Sequence, residues 1–363
     1  MDKRIVLAIM IPFCCASAIA QQSTGKISPA AKTYLEQALD LMQQNALHKK
    51  SIDWPSVREQ TLSRATNAKT TWDTYPAIAY AITQLDEHHT WFQLPDNLPS
   101  DRRRALDAEI AKIVARSSPG SPSPFMPSKE IKGHMIGAPR AQFAYVVVPM
   151  CIPRYAEWDK NGSDFQEFAD TLHGIVAELE KQKPDGWIID LRGNCGGNMW
   201  PMLAGIGAVL GEGDLGAFIS ADGDRTPWHY KAGVAESASN HEAQIQNPPL
   251  ILPGTPPVAI LFDRGTASSG EAVAISFAGR PKERSFGEHT AGFSTSNGMY
   301  PLSDGASLFL CNGVEIDRTG KVYPDGLDPD VAIAEPAARP AEDTDAAILA
   351  AEEWLTEENR LQP

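Results

Sequence analysis

The chain has 363 residues, of which 42% are hydrophobic, and it carries a formal net charge of −14. This composition is typical of a globular protein with room for a large core. The acidic balance argues against nucleic acid as the main partner, because binding to phosphates depends on clustered Lys and Arg.

The first twenty residues have the pattern of a secretory signal peptide. Lys3 and Arg4 precede an apolar run at residues 5–16, and small residues follow before Gln21. Such a segment is removed on export, so we predict an exported protein, either periplasmic or secreted. No later stretch is long and apolar enough to cross a bilayer, and we expect no membrane span after signal removal.

Residues 21–130 are predicted to form a small helical domain with a linker. A Ser-Pro pair at residues 28–29 supplies an N-cap and a first-turn proline. A second helix is expected to begin near Trp54, and a third covers residues 75–85. Residues 117–129 are rich in Ser and Pro and are predicted to be the linker.

Residues 135–335 alternate between strand patterns and helix patterns. Predicted strands at residues 144–148, around Trp187 and at residues 258–262 are separated by helices that start near Ser163 and Met199. Such alternation is typical of a parallel sheet that helices cover on its faces, so we predict an α/β fold.

Three further segments complete the predicted organisation. Residues 221–256 are polar and contain prolines, which indicates a long surface insertion. Asp304 and Gly305 lie between two apolar segments and indicate a hairpin. Residues 341–360 are predicted to form a C-terminal helix.

A serine-containing turn lies between the last predicted core strand and a predicted helix. Its sequence at residues 266–271 is Thr-Ala-Ser-Ser-Gly-Glu. At such a turn the backbone N–H groups and the helix dipole favour an anion, which suits a nucleophile whose reaction develops an oxyanion. The alternative is structural, with Ser268 or Ser269 serving only as the helix N-cap.

A glycine-rich turn follows the Trp187 strand, with the sequence Asp-Leu-Arg-Gly-Asn-Cys-Gly-Gly at residues 190–197. Glycines let the backbone approach a ligand closely and expose its N–H groups. Asp190 and Arg192 are predicted to form an ion pair that fixes this turn, unless Arg192 instead meets a carboxylate of a substrate.

In this order, the two turns resemble the motifs of the tail-specific, or C-terminal processing, peptidases. Residues 287–292 (Gly-Glu-His-Thr-Ala-Gly) and 326–330 (Gly-Leu-Asp-Pro-Asp) extend the resemblance, which covers about residues 140–335. It implies a Clp protease/crotonase-like α/β core with a parallel-rich sheet, preceded by the helical domain. It also implies a peptide or protein substrate and neither a cofactor nor a metal.

The resemblance assigns roles to individual residues. Ser268 lies three residues before the motif's glutamate, in the place of the nucleophile. The oxyanion would be bound by the N–H of Ser269 together with one from Gly196 or Gly197. The resemblance thus implies a serine endopeptidase that works through an acyl-enzyme.

The sequence departs from the family pattern at the general base. Many members have a lysine shortly after the Gly-Glu-x-Thr-x-Gly motif, where this chain has Phe293. The tricorn core and some other relatives instead use a histidine near the N-terminal helices. Residues 87–90 (Glu-His-His-Thr) resemble that motif and imply His89 as the base, in a tricorn-core-like branch. The stretch at residues 91–133 is too short for the PDZ domain that many members carry.

A third group is expected to orient the histidine. The resemblance implies Asp325, next to the closing motif, and Glu87 is the local alternative. A histidine held by a carboxylate predicts loss of activity below roughly pH 6 to 7.

Other interpretations stay open at this point. His88 or His289 could replace His89, and Cys195 is a second candidate nucleophile. The His pair could bind a metal, but no further ligand spacing is visible. The chain could also be a non-catalytic ligand- or peptide-binding module on the same fold, as the retinoid-binding relative of these peptidases is. The sequence fixes neither the oligomeric state nor a disulfide among Cys151, Cys195 and Cys311.

Overall fold

The computed structural model describes residues 26–114, 130–139, 141–152, 163–238, 240–336 and 339–361. The predicted signal peptide and the predicted linker at residues 117–129 lie outside these ranges. All structural statements below concern the described residues.

The helices begin where the sequence provides capping residues. Ser28 accepts a hydrogen bond from the N–H of Ala31 at 3.2 Å, and Asp53 caps the second helix in the same way. The helices are α1 (Pro29–Asn45), α2 (Trp54–Arg64), α3 (Tyr75–Ile82), α4 (Ser100–Val114), α5 (Ser163–Glu180), α6 (Met199–Leu210), α7 (Ser269–Phe277) and α8 (Ala346–Arg360).

The strands belong to two sheets. They are β1 (Trp91–Gln93), β2 (Lys132–Ala138), β3 (Ala141–Val147), β4 (Trp187–Asp190), β5 (Gly213–Ser220), β6 (Arg225–Lys231), β7 (Val234–Ser237), β8 (Asn240–Gln244), β9 (Val258–Phe262), β10 (Glu283–Gly287), β11 (Thr295–Pro301), β12 (Ser307–Asp317), β13 (Val322–Tyr323) and β14 (Val331–Ala332).

The first sheet has the order β14-β10-β9-β4-β3-β2, and all its neighbours are parallel except β2 and β3. Alternate residues of each strand face opposite layers. On β3, Ala144 and Val146 pack with α5, α6 and α7, whereas Phe143 and Tyr145 pack with α8. The sheet is therefore covered on both faces, as the alternation of strands and helices predicted.

The second sheet is antiparallel and was not predicted from the sequence. It has the order β1-β12-β5-β6-β7-β8, with β11 and β13 also paired to β12. It contains the predicted hairpin, in which Pro301 on β11 faces Ser307 on β12. The predicted surface insertion at residues 221–256 is wrong, because β6, β7 and β8 form a meander there that buries Trp228 and Tyr230.

The N-terminal helices share a core with the second sheet. Buried residues of α1 to α4 form one apolar cluster with four residues of the β11–β12 hairpin, namely Leu302, Ala306, Leu308 and Leu310. The strand β1 pairs antiparallel with β12, so the chain segment that follows α3 joins this sheet directly. As a result, the segment containing His89 is held close to β11 and β12.

Within the described ranges, the helices are all too short or too polar to span a lipid bilayer.

Candidate active site

The serine turn and the glycine turn meet because their strands are neighbours. β4 and β9 are parallel and adjacent, with Asp190 opposite Leu261. Both turns leave the carboxyl ends of these strands, which is the edge where open α/β sheets bind their ligands.

Ser268 has a backbone conformation that is unusual for a residue with a side chain. Its φ is +53° and its ψ is −123°, immediately before α7. Such a conformation costs about 1–3 kcal/mol and persists only where the surroundings impose it, most often at functional sites. The turn therefore singles out Ser268 from the neighbouring Ser269.

Glu271 holds the Ser268 turn against the loop at residues 290–293. Its Oε2 accepts hydrogen bonds from the N–H groups of Ser268 and Phe293, each at 2.8 Å. Its Oε1 accepts from the Thr290 hydroxyl at 2.6 Å and from the Gly292 N–H at 2.9 Å. Burial raises the pKa of Glu271, and these four donors oppose that rise.

The glycine turn lies directly against Ser268. Gly196 has φ +103°, and a Cβ added there would lie 2.8 Å from the Cβ of Ser268. The N–H of Ala267 donates to the carbonyl of Asn194 at 3.0 Å, and the Ser269 hydroxyl donates to the carbonyl of Gly197 at 2.7 Å. Only glycine fits this approach, since a side chain would push the two turns apart.

The backbone N–H groups around Ser268 differ in whether they already donate a hydrogen bond. The Gly196 N–H donates to Asn194 Oδ1 at 3.0 Å. Among the described residues, no acceptor meets the N–H of Gly197 or that of Ser269. Of the two glycines predicted for the oxyanion, Gly197 is thus the one with an unused donor.

His89 lies beside the loop that Glu271 anchors. Its ring centroid is 5.3 Å from that of Phe293, and its Nδ1 is 2.7 Å from the Thr295 hydroxyl oxygen. Burial lowers the pKa of His89 to about 4, so the ring is neutral at ordinary pH. In the described structure no hydrogen bond joins this ring to the Ser268 hydroxyl.

Neither of the acids expected to orient His89 is hydrogen-bonded to its imidazole ring. Asp325 is exposed, and its backbone carbonyl accepts a hydrogen bond from His289 Nε2 at 2.8 Å. Glu87 accepts a hydrogen bond from the backbone N–H of His89 at 2.7 Å. Nδ1 of His89 instead faces the Thr295 hydroxyl, which the sequence did not single out. His289 uses its other nitrogen on Asp328, so both ring nitrogens are engaged.

A partly exposed apolar row extends from His89 across the second sheet. Trp91 lies opposite Phe309, and Phe309 lies opposite Met299, on the three neighbouring strands β1, β12 and β11. The rings of Trp91 and Phe309 stack at 4.4 Å, and the rings of His89 and Trp91 are 6.1 Å apart. Trp91 and Met299 are 43% and 58% exposed. We call Trp91, Phe309 and Met299 the apolar row.

The three cysteines that the sequence left open are free thiols in the structure. Burial raises the pKa of Cys151 and that of Cys311 to about 12, which keeps both thiols protonated. Cys195 is exposed in the glycine turn.

The predicted ion pair of Asp190 and Arg192 is part of a larger buried cluster. Arg192 binds Asp190 through Nη2 at 2.7 Å and binds Asp345 and Glu335 through Nη1 at 2.9 and 3.1 Å. The Arg192 side chain has no exposed surface, which excludes the alternative that it meets a substrate carboxylate. Because Asp345 caps α8, the cluster ties the glycine turn to the C-terminal helix.

Replacing Arg192 with methionine is expected to lower the free energy of unfolding by about 3–5 kcal/mol, because three buried carboxylates lose their counter-charge. Urea denaturation measures the change. Arg264→Met is the matched control, since Arg264 pairs with Glu288 at the surface and is expected to change stability by less than about 1 kcal/mol. Equal effects of the two substitutions would contradict the role of the cluster.

Across the described residues, no three or more His, Cys, Asp or Glu side chains are arranged to hold a metal ion. The edge of the first sheet offers the Ser268 hydroxyl and backbone donors, and the segment that leads into the second sheet offers the neutral imidazole of His89. This combination suits acyl transfer, in which a serine attacks a carbonyl and N–H groups bind the oxyanion.

Comparison with known proteins identifies the family of the core domain. Residues 154–333 match the sequence model of Peptidase family S41. The nisin-resistance protein of Lactococcus lactis subsp. lactis is 25% identical over 297 residues, which cover 82% of this chain and 81% of that protein. The chain also matches curated carboxyl-terminal processing proteases, such as that of Synechocystis sp., but spans only 37% of their length.

Solved structures share the fold. A lipoprotein from Streptococcus agalactiae aligns with a TM-score of 0.64 at 22% identity, over 92% of this chain and 98% of that one. The photosystem II D1 C-terminal processing protease aligns with a TM-score of 0.57 at 17% identity, over 86% and 96%. These likenesses confirm the predicted α/β core of the Clp protease/crotonase-like kind with a helical N-terminal region. The chain therefore carries a domain of peptidase family S41, the family of the tail-specific or carboxyl-terminal processing proteases.

Proposed function

We propose that this protein is a serine endopeptidase in which Ser268 is the nucleophile and His89 is the general base. The observation that carries the proposal is the strained Ser268 turn, which packs against a glycine turn and is flanked by two backbone N–H groups that meet no acceptor among the described residues. A peptide or protein substrate is supported by the family of the domain.

In the proposed reaction, Nε2 of His89 takes the proton from the Ser268 hydroxyl as its oxygen attacks the peptide carbonyl. The N–H groups of Ser269 and Gly197 bind the oxyanion, and protonated His89 then gives its proton to the leaving amine. Water hydrolyses the acyl-enzyme by the same steps in reverse. The neutral state of His89 supports its part as a base.

Gly196→Ala is expected to lower kcat at least a hundredfold, because the added Cβ would lie 2.8 Å from the Ser268 Cβ and 3.2 Å from the Ser269 nitrogen. Loss of one oxyanion donor typically costs about 10²- to 10³-fold. Peptide hydrolysis by the folded variant measures the loss. Gly223→Ala is the matched control, since Gly223 also has a positive φ but a Cβ there meets nothing within 4 Å. Near-normal turnover in Gly196→Ala would contradict this arrangement.

The apolar row is evidence that the substrate has apolar side chains near the scissile bond. It begins at His89, so an extended peptide held at Ser268 can lay its neighbouring side chains on Trp91 and Met299. Burial of apolar surface there is favourable by about 25 cal/mol per Å². A peptide library cleaved by the protein is expected to show apolar residues near the scissile bond.

Export is part of the proposal and is supported by the sequence of residues 1–20. Expression of the full chain in a bacterial host, followed by mass measurement of the periplasmic and cytoplasmic forms, tests it. A mature form that lacks the first twenty or so residues is expected outside the cytoplasm, and an uncleaved cytoplasmic form would contradict export.

Hydrolysis of unfolded protein substrates, with and without a fluorophosphonate inhibitor, tests the peptidase assignment. We expect hydrolysis that the inhibitor abolishes. Binding of peptides without any hydrolysis would instead support the non-catalytic module, which the absence of a lysine at Phe293 keeps open.

A further inference from the structure

We propose that Thr295 is the positioning residue for His89, and that its hydroxyl takes the place that a carboxylate occupies in a serine-histidine-aspartate triad. The inference rests on the proposed function in that it treats His89 as the base. The hydroxyl oxygen of Thr295 lies 2.7 Å from Nδ1 of His89, although the two residues are 206 positions apart in the chain.

Thr295 is held from two sides. It is the first residue of β11 and lies opposite Val314 on β12. Its N–H donates to the carbonyl of Phe293 at 2.8 Å, and the N–H of Phe293 is bound by Glu271. Because Glu271 also binds the N–H of Ser268, one carboxylate fixes the position of the nucleophile and of the group that orients the base.

Among the described residues, no charged side chain is hydrogen-bonded to the imidazole ring in place of Thr295. Glu87, on the same segment, binds the backbone N–H of His89, and Glu271 is occupied by its four donors. The rings of Phe293 and Trp91 border the imidazole without adding charge. The thiol of Cys311 on β12 lies near Thr295 and Glu87, and its raised pKa keeps it neutral.

A threonine hydroxyl orients the ring but does not hold a charge. When Nδ1–H donates to the Thr295 oxygen, the lone pair of Nε2 is left to accept a proton from Ser268. A carboxylate at this place would also stabilise the imidazolium and raise the histidine pKa. The hydroxyl adds no charge, and burial lowers the pKa of His89 to about 4 against a smaller rise from a hydrogen bond to the Thr295 backbone.

Three substitutions of Thr295 in the full chain separate these effects. Thr295→Val keeps the shape and removes the hydroxyl, so we expect kcat to fall about 10- to 100-fold, as for one lost hydrogen bond to a group that becomes charged, with KM little changed. Thr295→Ser restores the hydroxyl and is expected to recover most of kcat. Thr295→Asp supplies a carboxylate and is expected to move the acid limb of the pH profile upward by about 1 to 3 pH units.

NMR titration of ¹⁵N-labelled histidine gives a readout that does not depend on activity. We expect neutral His89 to carry its proton on Nδ1 in the unmutated chain, to lose that preference in Thr295→Val, and to have a raised pKa in Thr295→Asp. Unchanged tautomer and pKa in both variants would overturn the proposal even if the chain hydrolyses nothing. If Thr295→Ser loses as much kcat as Thr295→Val, Thr295 acts only through packing and the proposal is also overturned. Loss of the proposed function alone would appear as an inactive unmutated chain with the expected NMR result.

Discussion

Ser268→Ala is expected to abolish peptide hydrolysis, lowering kcat by about 10⁴- to 10⁶-fold. A nucleophile and its base act as a unit, so removal of the hydroxyl leaves only the contribution of the oxyanion donors and of substrate binding. The serine is half-buried in a turn with φ +53°, and alanine fits that turn no worse than serine does. Turnover of a peptide substrate, with folding checked by circular dichroism, measures the effect.

Ser269→Ala is the matched control for this experiment. The Ser269 hydroxyl donates to the Gly197 carbonyl at 2.7 Å and contributes its backbone N–H, which alanine retains. We expect at most about a tenfold loss, in keeping with one lost hydrogen bond of about 1 kcal/mol. The reverse pattern, with Ser269→Ala inactive and Ser268→Ala active, would overturn the choice of nucleophile.

His89→Ala is expected to lower kcat by several orders of magnitude, again because the base and the nucleophile act together. His88→Ala and His289→Ala serve as controls. His289 binds Asp328 and the carbonyl of Asp325 through its two ring nitrogens, so it is not free to act as a base in this arrangement. Near-full activity of the folded His89→Ala variant would show that another residue is the general base.

The pH profile follows from the environment of His89. Because burial lowers its pKa to about 4, the neutral base is present above that pH and is lost as the pH falls through it. We therefore expect the acid limb of kcat/KM near pH 4, lower than the 6 to 7 predicted from the sequence for a histidine held by a carboxylate. An acid limb at pH 6 to 7 would contradict the neutral partner at Nδ1.

The parts of the fold that local signals determine could be predicted. The cap at Ser28, the helix start at Trp54 and the apolar strand at residues 258–262 lie where those signals are strong. The meander β6 to β8 could not be predicted, because its short strands are polar on one side. The positive φ values of Ala232 and Gly233 form the β6–β7 turn, and an Ala-Gly pair is a weaker hairpin signal than Asn-Gly.

The candidate site likewise contains residues that the sequence predicted and one that it did not. The Ser268 and Gly196 turns carry their own sequence motifs, and the structure brings them together because β4 and β9 are adjacent. Thr295 has no motif. Its contact with His89 depends on the pairing of β1 and β11 with opposite edges of β12, and β1 has only three residues, too few for an alternating pattern.

The most direct test of the account is to locate the covalent adduct of a fluorophosphonate probe by peptide mass spectrometry in the full chain. The account predicts one adduct, on Ser268, formed rapidly in the unmutated protein and in Ser269→Ala and at least a hundredfold more slowly in His89→Ala. An adduct on Ser269, or no adduct on a folded chain, would contradict the claim that Ser268 and His89 form the catalytic pair.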